Sequence, residues 1–354
     1  MYRSNGPSFS RVRSVRARKG KLRALACALL APALLAAVAA CSSGGGGPSS
    51  IILSITIAAP TSAPVYIAQS LGYFKQQGLD VNVKIIPNSY ESLAAGQIQF
   101  GLVGVSQVVK AASSGTPLQQ ICTAQTSPSY ILAVSQKTMN AKGITSSMSL
   151  KETLTKLKGE VVTEVGGAVN PGSILLASLL KQNGLPGNWI KVISETSNAT
   201  ATAAFIAGQV GVVFQPQPVP DALLSKVPGT IIFNTANSPL FSSLDGTPWS
   251  GIAASTSYIA AHPDVSKEIC NAIGKADNYI LANPAQAAKD IQPQMSSYPT
   301  QLLQEALPTY KFAANAAMSG SQFDAGIKVL SSYGIFQQPS ASALSSAYTT
   351  KYQS

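Results

Sequence analysis

Apolar and polar positions fall in blocks whose period switches between that of a strand and that of a helix. Ile51 to Ala58 is a continuous β-branched and apolar run, the pattern of a buried strand. Pro60-Thr61-Ser62-Ala63-Pro64 turns the chain, and Val65, Ala68, Leu71 and Phe74 then recur near helical spacing. Ser62 stands where an N-cap is wanted, with Pro64 in the first turn. Gly78 ends that helix, and Leu79–Ile86 alternates as a second strand. Pro87-Asn88-Ser89-Tyr90 is a loop whose Ser89 is placed to cap a short helix over Glu91–Ala95. A third strand, a helix from about Ser106 to Ser113 and a fourth strand over Leu118–Thr123 follow. Thr126-Ser127-Pro128-Ser129 interrupts the rhythm before a strand at Tyr130–Val134. Residues 151–234 then resume it, with strands at Val161–Val165, Lys191–Ser194, Val210–Phe214 and Ile231–Phe233 and helical runs at Ile174–Leu180, Ala199–Ala207 and Ala222–Leu224. Gly251–Ala254 is a last strand. Beyond it the pattern is helical, from Pro263 to about Ala282 and from Gln301 to Leu330. Such alternation predicts mostly parallel sheets covered on both faces.

One phrase occurs twice. Ala95-Gly96-Gln97-Ile98-Gln99-Phe100-Gly101 and Ala207-Gly208-Gln209-Val210-Gly211-Val212-Val213 each follow an Ala-rich helical run. Each has a Gly where a helix C-terminus favours φ > 0, then a short apolar run. Each unit closes in a small polar or Pro-containing loop, Gly104–Gln107 in the first and Gln215–Pro218 in the second. The wide separation excludes a solenoid repeat. It points instead to two similar α/β lobes, each offering loops at the carboxyl ends of strands, where open α/β sheets bind ligands.

Charge changes the picture only at the start of the chain. The net charge is +11, yet eight of the 25 basic residues and none of the 14 acids precede position 41, leaving 17 against 14. The body has no dense Lys/Arg patch and hence no nucleic-acid footprint. The basic head runs into an apolar stretch, Leu22 to Ala40, ending in Val38-Ala39-Ala40-Cys41. That is the pattern of a secretory signal, residues 1–40. The Cys after small residues resembles a bacterial lipobox, which implies lipidation of Cys41 and a membrane anchor. Residues 41–50, with four glycines, make a flexible tether. Cys122 and Cys270 then lie outside the cytoplasm, where disulfides persist. A bond between them is the favoured reading, and two separate buried thiols are the alternative.

The ordered set Pro64, Tyr66-Ile67-Ala68-Gln69-Ser70-Leu71-Gly72-Tyr73-Phe74, Gly78-Leu79-Asp80-Val81, Ala95-Gly96-Gln97-Ile98, Gly115-Thr116-Pro117-Leu118, Leu157-Lys158-Gly159, Ala207-Gly208-Gln209-Val210 and His262-Pro263-Asp264 resembles the nitrate/sulfonate/taurine and thiamine-pyrimidine family of ABC-transporter substrate-binding proteins. The resemblance spans about residues 51–290. It implies a type II periplasmic-binding-protein fold: two lobes, each a mostly parallel sheet flanked by helices, joined by two crossover strands. The boundaries read from the pattern are 51–125 plus 246–354 for lobe one and 126–245 for lobe two, with hinges near 125–128 and 245–249. Where the family usually carries Asp after the repeated phrase, this chain has Gln99 and Gly211. In place of an acidic loop in lobe two it has Gln215-Pro216-Gln217-Pro218. The fold expectation survives these departures, but the ligand is left open.

Hydrolytic and metal chemistry find little support. The single His262 opens a helix, and one His with scattered acids and no CxxC gives no zinc-type ligand set. Gly166–Gly172 lacks the Lys and Ser/Thr of a phosphate-binding loop, although backbone N–H groups at the helix start near Ser173 suit an anion or a polar ligand group. No cofactor is expected. The candidate ligand-binding residues are Ser62, Tyr66, Asn88, Tyr90, Ser106 and Gln107 in lobe one, Gly167, Asn170 and Gln215 in lobe two, and Trp249 at the return. Neutral hydrogen-bonders with aromatic walls suit a small planar or weakly polar molecule, or an oxyanion held by backbone and hydroxyl donors. The expectation is thus a monomeric, lipid-anchored, extracytoplasmic solute receptor that docks on an ABC permease. Two rivals stand beside it. One is an enzyme on the same fold, a desulfinase or pyrimidine-synthesis relative using Cys122 and His262. The other is a ligand sensor for a membrane kinase.

Overall fold

A computed structural model describes residues 50–165, 170–195, 198–332 and 337–353. The signal, Cys41 and Gly167 lie outside the described residues. Among the described residues ten strands are present: β1 (Ile51–Ile55), β2 (Val81–Ile85), β3 (Phe100–Gly104), β4 (Leu118–Gln125), β5 (Tyr130–Ser135), β6 (Val161–Val165), β7 (Lys191–Glu195), β8 (Val212–Pro216), β9 (Gly229–Asn234) and β10 (Ser250–Ser255). Five form one sheet in the order β2-β1-β3-β10-β4, three form a second in the order β8-β5-β9, and β6 pairs with β7. β1 is parallel to β2 and β3, whereas β10 runs antiparallel to both its neighbours. β5 likewise opposes β8 and β9. The larger sheet and the three-stranded one therefore share a plan: one direction, with a single opposed strand in the middle. Those opposed strands are the ones that cross. β4 leads through residues 126–129 into β5 of the second sheet, and the chain returns to the first as β10.

Helices cover the sheets on both sides because the strands are apolar on both faces. Leu53 and Ile55 enter one buried cluster with the helices Ala63–Ser70, Pro263–Ala282 and Pro284–Ile291. The helix Val105–Ser113 packs into the other. β5 alternates between them, with Ile131 and Ala133 in the first cluster and Tyr130, Leu132 and Val134 in the second. Each cluster thus contains residues of both sheets. A disulfide joins Cys122 on β4 to Cys270 on the helix Pro263–Ala282, with Cα atoms 5.8 Å apart at a sequence separation of 148. Asp277 on the same helix is fully buried with neither carboxylate oxygen paired, and that burial pushes its carboxyl well above the usual carboxylate range.

The repeated phrase folds the same way twice. Gly96 and Gly208 both have φ +69. Gly96 N–H donates to Leu93 O and Gln97 N–H to Ser92 O, while Gly208 N–H donates to Phe205 O and Gln209 N–H to Ala204 O. This is one C-terminal helix turn used at two places, with a strand starting four residues after each Gly.

Several local expectations are corrected. Ser62 and Ser89 do not cap helices: Ser62 Oγ donates to Ile57 O and Ser89 Oγ to Ile86 O, each bonding back into the preceding turn. The expected loop Gly104–Gln107 shrinks to Gly104, because the Gln107 carbonyl accepts the Gly104 N–H at 2.9 Å and the helix starts at Val105. β8 begins two residues later than the pattern suggests, so Gln215 and Pro216 are strand residues. The helix expected over Gln301–Leu330 is broken. Thr300–Ala306 stops ahead of Pro308, a 3-10 turn at Ala314–Ala316 carries positive φ at Asn315 and Ala316, and a second helix runs Gly320–Ser332.

Gly96→Ala and Gly208→Ala force a Cβ into left-handed backbone. Space is not the obstacle: nothing lies within 4 Å of a Cβ at Gly96, and only the flexible Lys137 side chain approaches one at Gly208. Each substitution is expected to lower stability by about 1–2 kcal/mol in urea unfolding, and the near-identical geometry predicts near-equal losses.

Candidate functional site

The carboxyl ends of β1 and β3, the end of β4 and the start of β10 face the end of β8, the start of β5 and the start of the helix Pro171–Gln182 across a cleft of about 80 Å³. From the larger sheet come Thr56, Ile57, Thr61 and Ser62 after β1, Leu102 to Gly104 of β3, and Gln107 one helical turn on. Gln125, Trp249 and Ser250 line it where the chain crosses. Tyr130, Asn170, Pro171, Gln215 and Pro216 form the opposite wall.

The polar side chains here are held before any ligand arrives. Asn170 Oδ1 accepts the Gly172 N–H at 2.9 Å and so caps the helix Pro171–Gln182. Gln215 Nε2 donates to Thr163 O at 3.0 Å, tying β8 to β6. Trp249 is buried, and its backbone N–H donates to Gln125 O while its carbonyl accepts from Val105 N–H. Tyr130 packs its ring on Phe214, with centroids 5.4 Å apart. Gln125 Nε2 donates to Ser127 O at 2.5 Å. Gln125 Oε1 and Ser250 Oγ are buried without a partner. Among the described lining residues none is ionisable at neutral pH, so the cleft offers hydrogen-bonding groups and two aromatic rings but no fixed charge.

Ser62, Gln107, Asn170, Gln215 and Trp249, all expected from the sequence, meet in this cleft. Tyr66, Asn88, Tyr90 and Ser106 do not line it. Tyr66 turns into the core, where burial pushes its hydroxyl up to about 12. Asn88 stands exposed at the head of the helix Ser89–Ala94. Tyr90 packs against the second cluster, its pKa raised by burial and then by the charge of Glu91, and its hydroxyl meets Thr116 and Ser114. Ser106 is buried one position from the lining Gln107, and helical rotation turns it elsewhere. The aromatic walls come from Trp249 and Tyr130 in place of Tyr66 and Tyr90. Gln125, Tyr130 and Ser250 were missed because they belong to strands. Their signal was the crossover itself, since residues bounding a segment that passes between two sheets necessarily border the space between them.

A Cys122–His262 pair is not present. Cys122 is bonded to Cys270, and His262 stacks on Tyr258 with centroids 4.5 Å apart, away from the cleft. Among the described residues no group of three or more His, Cys, Asp or Glu side chains is arranged to hold a metal, and no helix is long and apolar enough to cross a membrane.

Comparison with known proteins agrees with this architecture. A Brucella abortus protein, named as a candidate binding protein, is 25% identical over 224 residues, covering 62% of this chain and 64% of its own. The chain thus spans a little under two-thirds of that relative's length. The 4-amino-5-hydroxymethyl-2-methylpyrimidine phosphate synthase THI11 of Saccharomyces cerevisiae is 24% identical over 263 residues, covering 67% of this chain and 69% of the yeast protein. Among solved structures, the alkanesulfonate-binding protein of Xanthomonas axonopodis pv. citri superposes with a TM-score of 0.66 at 18% identity, over 86% of this chain and 99% of its own. The periplasmic nitrate-binding protein of Synechocystis superposes with a TM-score of 0.64 at 14% identity, over 84% of this chain and 86% of its own. The fold is that of the periplasmic binding proteins. The family model described as NMT1/THI5 like matches residues 59–287, well over half of the chain, and the protein belongs to that family.

Proposed function

We propose that this protein is an extracytoplasmic receptor that captures a small organic solute or oxyanion between two lobes and delivers it to an ABC-type membrane permease. The observation that carries the reading is the two-walled cleft, without a charged side chain among its described lining residues, at strand ends of two sheets that the chain joins by crossing over. The alkanesulfonate- and nitrate-binding structural neighbours support a solute-binding role. The lobes are 51–125 plus 246–354 and 126–245, hinged near 125–128 and 245–249. The protein acts as a monomer, exported and held at the outer face of a bacterial membrane by lipid on Cys41, as the lipobox-like Val38-Ala39-Ala40-Cys41 suggests.

The synthase relative supports an enzymatic reading instead. Against it, the described cleft walls hold no Asp, Glu, His, Lys or Cys to act as a base near neutral pH or to activate a lining hydroxyl, and Cys122 has no thiol to offer while it is bonded to Cys270.

The two walls meet at Gly104 and Pro171. A Cβ at Gly104 would come within 2.2 Å of Pro171 Cγ on the opposite wall, although the Gly104 backbone, at φ −81 and ψ 151, is open to any residue. Glycine is needed there for close approach rather than for its dihedral freedom. Gly104→Ala is therefore expected to prop the walls apart, weakening solute affinity at least tenfold with a small change in melting temperature. Calorimetric titration beside thermal unfolding checks this; unchanged affinity would show that the walls need not meet.

Mass spectrometry of small molecules released by denaturing the native protein is expected to return one solute in near-stoichiometric amount. Added back at a hundredfold excess over its Kd, that solute should stabilise the fold by about 2.7 kcal/mol. Conversion of the solute to product during incubation would favour the enzymatic reading.

A further inference from the structure

We propose that Gln125 selects the ligand: its side-chain carbonyl accepts a hydrogen bond from a neutral, N–H- or O–H-bearing solute, and this excludes oxyanions from the cleft. The inference rests on the solute-capture reading and narrows its ligand class.

Gln125 is the last residue of β4 and is 1% exposed. Its amide cannot be turned freely. Nε2 donates to the Ser127 carbonyl, and the reversed amide would set two carbonyl oxygens against each other. Oε1 is thereby fixed as the group without a partner. Ser250, paired with Gln125 across the β10–β4 ladder, also lines the cleft and carries a second buried orphan oxygen. Other buried polar atoms of this sheet are also without a partner, on Ser54, Gln120 and Thr123, but only Gln125 and Ser250 among them line the cleft, where a ligand can meet the need that burial creates.

What satisfies these atoms follows from their chemistry. A hydroxyl donates or accepts, but an amide oxygen only accepts. A sulfonate, nitrate or carboxylate carries no proton to give it and would bring negative charge against its lone pairs, in a site whose described walls hold no cation to compensate. An amide, an amine-bearing ring or an alcohol meets both atoms, donating to Gln125 and exchanging a hydrogen bond with Ser250. The amides of Asn170 and Gln215 are anchored to Gly172 and Thr163, so they shape the opposite wall in fixed orientation. Selectivity then comes from the buried acceptor, because a site built around an unpaired polar group rejects ligands that leave it unpaired.

The test uses acetamide and acetate, which match in shape and differ in this respect, with nitrate as a second oxyanion. Titrations of the wild-type protein are followed by ligand-observed NMR and the Trp249 indole resonance. Acetamide is expected to bind at least tenfold more tightly than acetate or nitrate. Gln125→Leu should reduce acetamide affinity about three- to tenfold, the loss of one hydrogen bond, and raise acetate affinity, since the repelling lone pairs are gone, so that the preference for acetamide collapses. Ser250→Ala, a smaller change, should weaken acetamide severalfold and provides the readout if Gln125→Leu does not fold. Equal binding of acetamide and acetate, or failure of acetamide to bind, would overturn the proposal, as would undiminished acetamide binding in folded variants. Oxyanions bound at the cleft in preference to acetamide would overturn the Gln125 assignment while leaving solute capture standing. If the native protein also releases no solute and binds none, solute capture falls with it.

Discussion

Everything in this molecule depends on the chain crossing between two sheets and on the backbone bonds that pin the crossings together. Trp249 N–H donates to Gln125 O, Val105 N–H donates to Trp249 O, and Thr126 N–H donates to Lys311 O. One short stretch before β10 is thus tied to the end of β4 and to the head of the helix that follows β3. Because β10 and β5 each lie between two other strands of their sheets, neither crossing can shift without breaking a ladder on both sides. On the proposed reading, closure would turn two bodies about segments a few residues long. The cleft walls are the strand ends bordering those crossings, so fold and site are one construction.

A second tie joins the turn after β8 to the C-terminal region. Tyr310 OH donates to Gln217 O, and Thr309 Oγ1 donates to Gln217 Oε1. Tyr310 is buried, and burial, with smaller effects from neighbouring Tyr298 and Asp221, pushes its hydroxyl far up, so it remains a proton donor across the working pH range. Gln217 belongs to the Gln-Pro-Gln-Pro stretch that follows the second repeated phrase. The stretch therefore divides its work: Gln215 lines the cleft, and Gln217 is fastened to Thr309 and Tyr310 in the C-terminal region.

Much of the fold was legible because it rests on local signals. Strand runs, helix runs and the glycines at 96 and 208 are each set by a few adjacent residues, and the doubled phrase announced two similar units. Boundaries slipped where a tertiary contact overrode a local preference, as when Gln107 reached back to Gly104 and started a helix inside an expected loop. The site was legible only in part. Gln215, Asn170 and Gln107 sit close to strand ends, which pattern reveals. Tyr66 and Tyr90 lie on helices, whose rotation decides what they face, and a weakly amphipathic sequence fixes that rotation poorly. Gln125 and Ser250 look like ordinary strand residues, and only the pairing of β4 with β10 shows their polar atoms together at the cleft floor.

The central claim, that the two lobes close on a solute, is tested most directly by small-angle X-ray scattering of the native protein freed of its solute and again with that solute restored. The account predicts a smaller radius of gyration in the bound state for the wild type and no such change for Gly104→Ala. An identical scattering profile with and without solute in the wild type would contradict it.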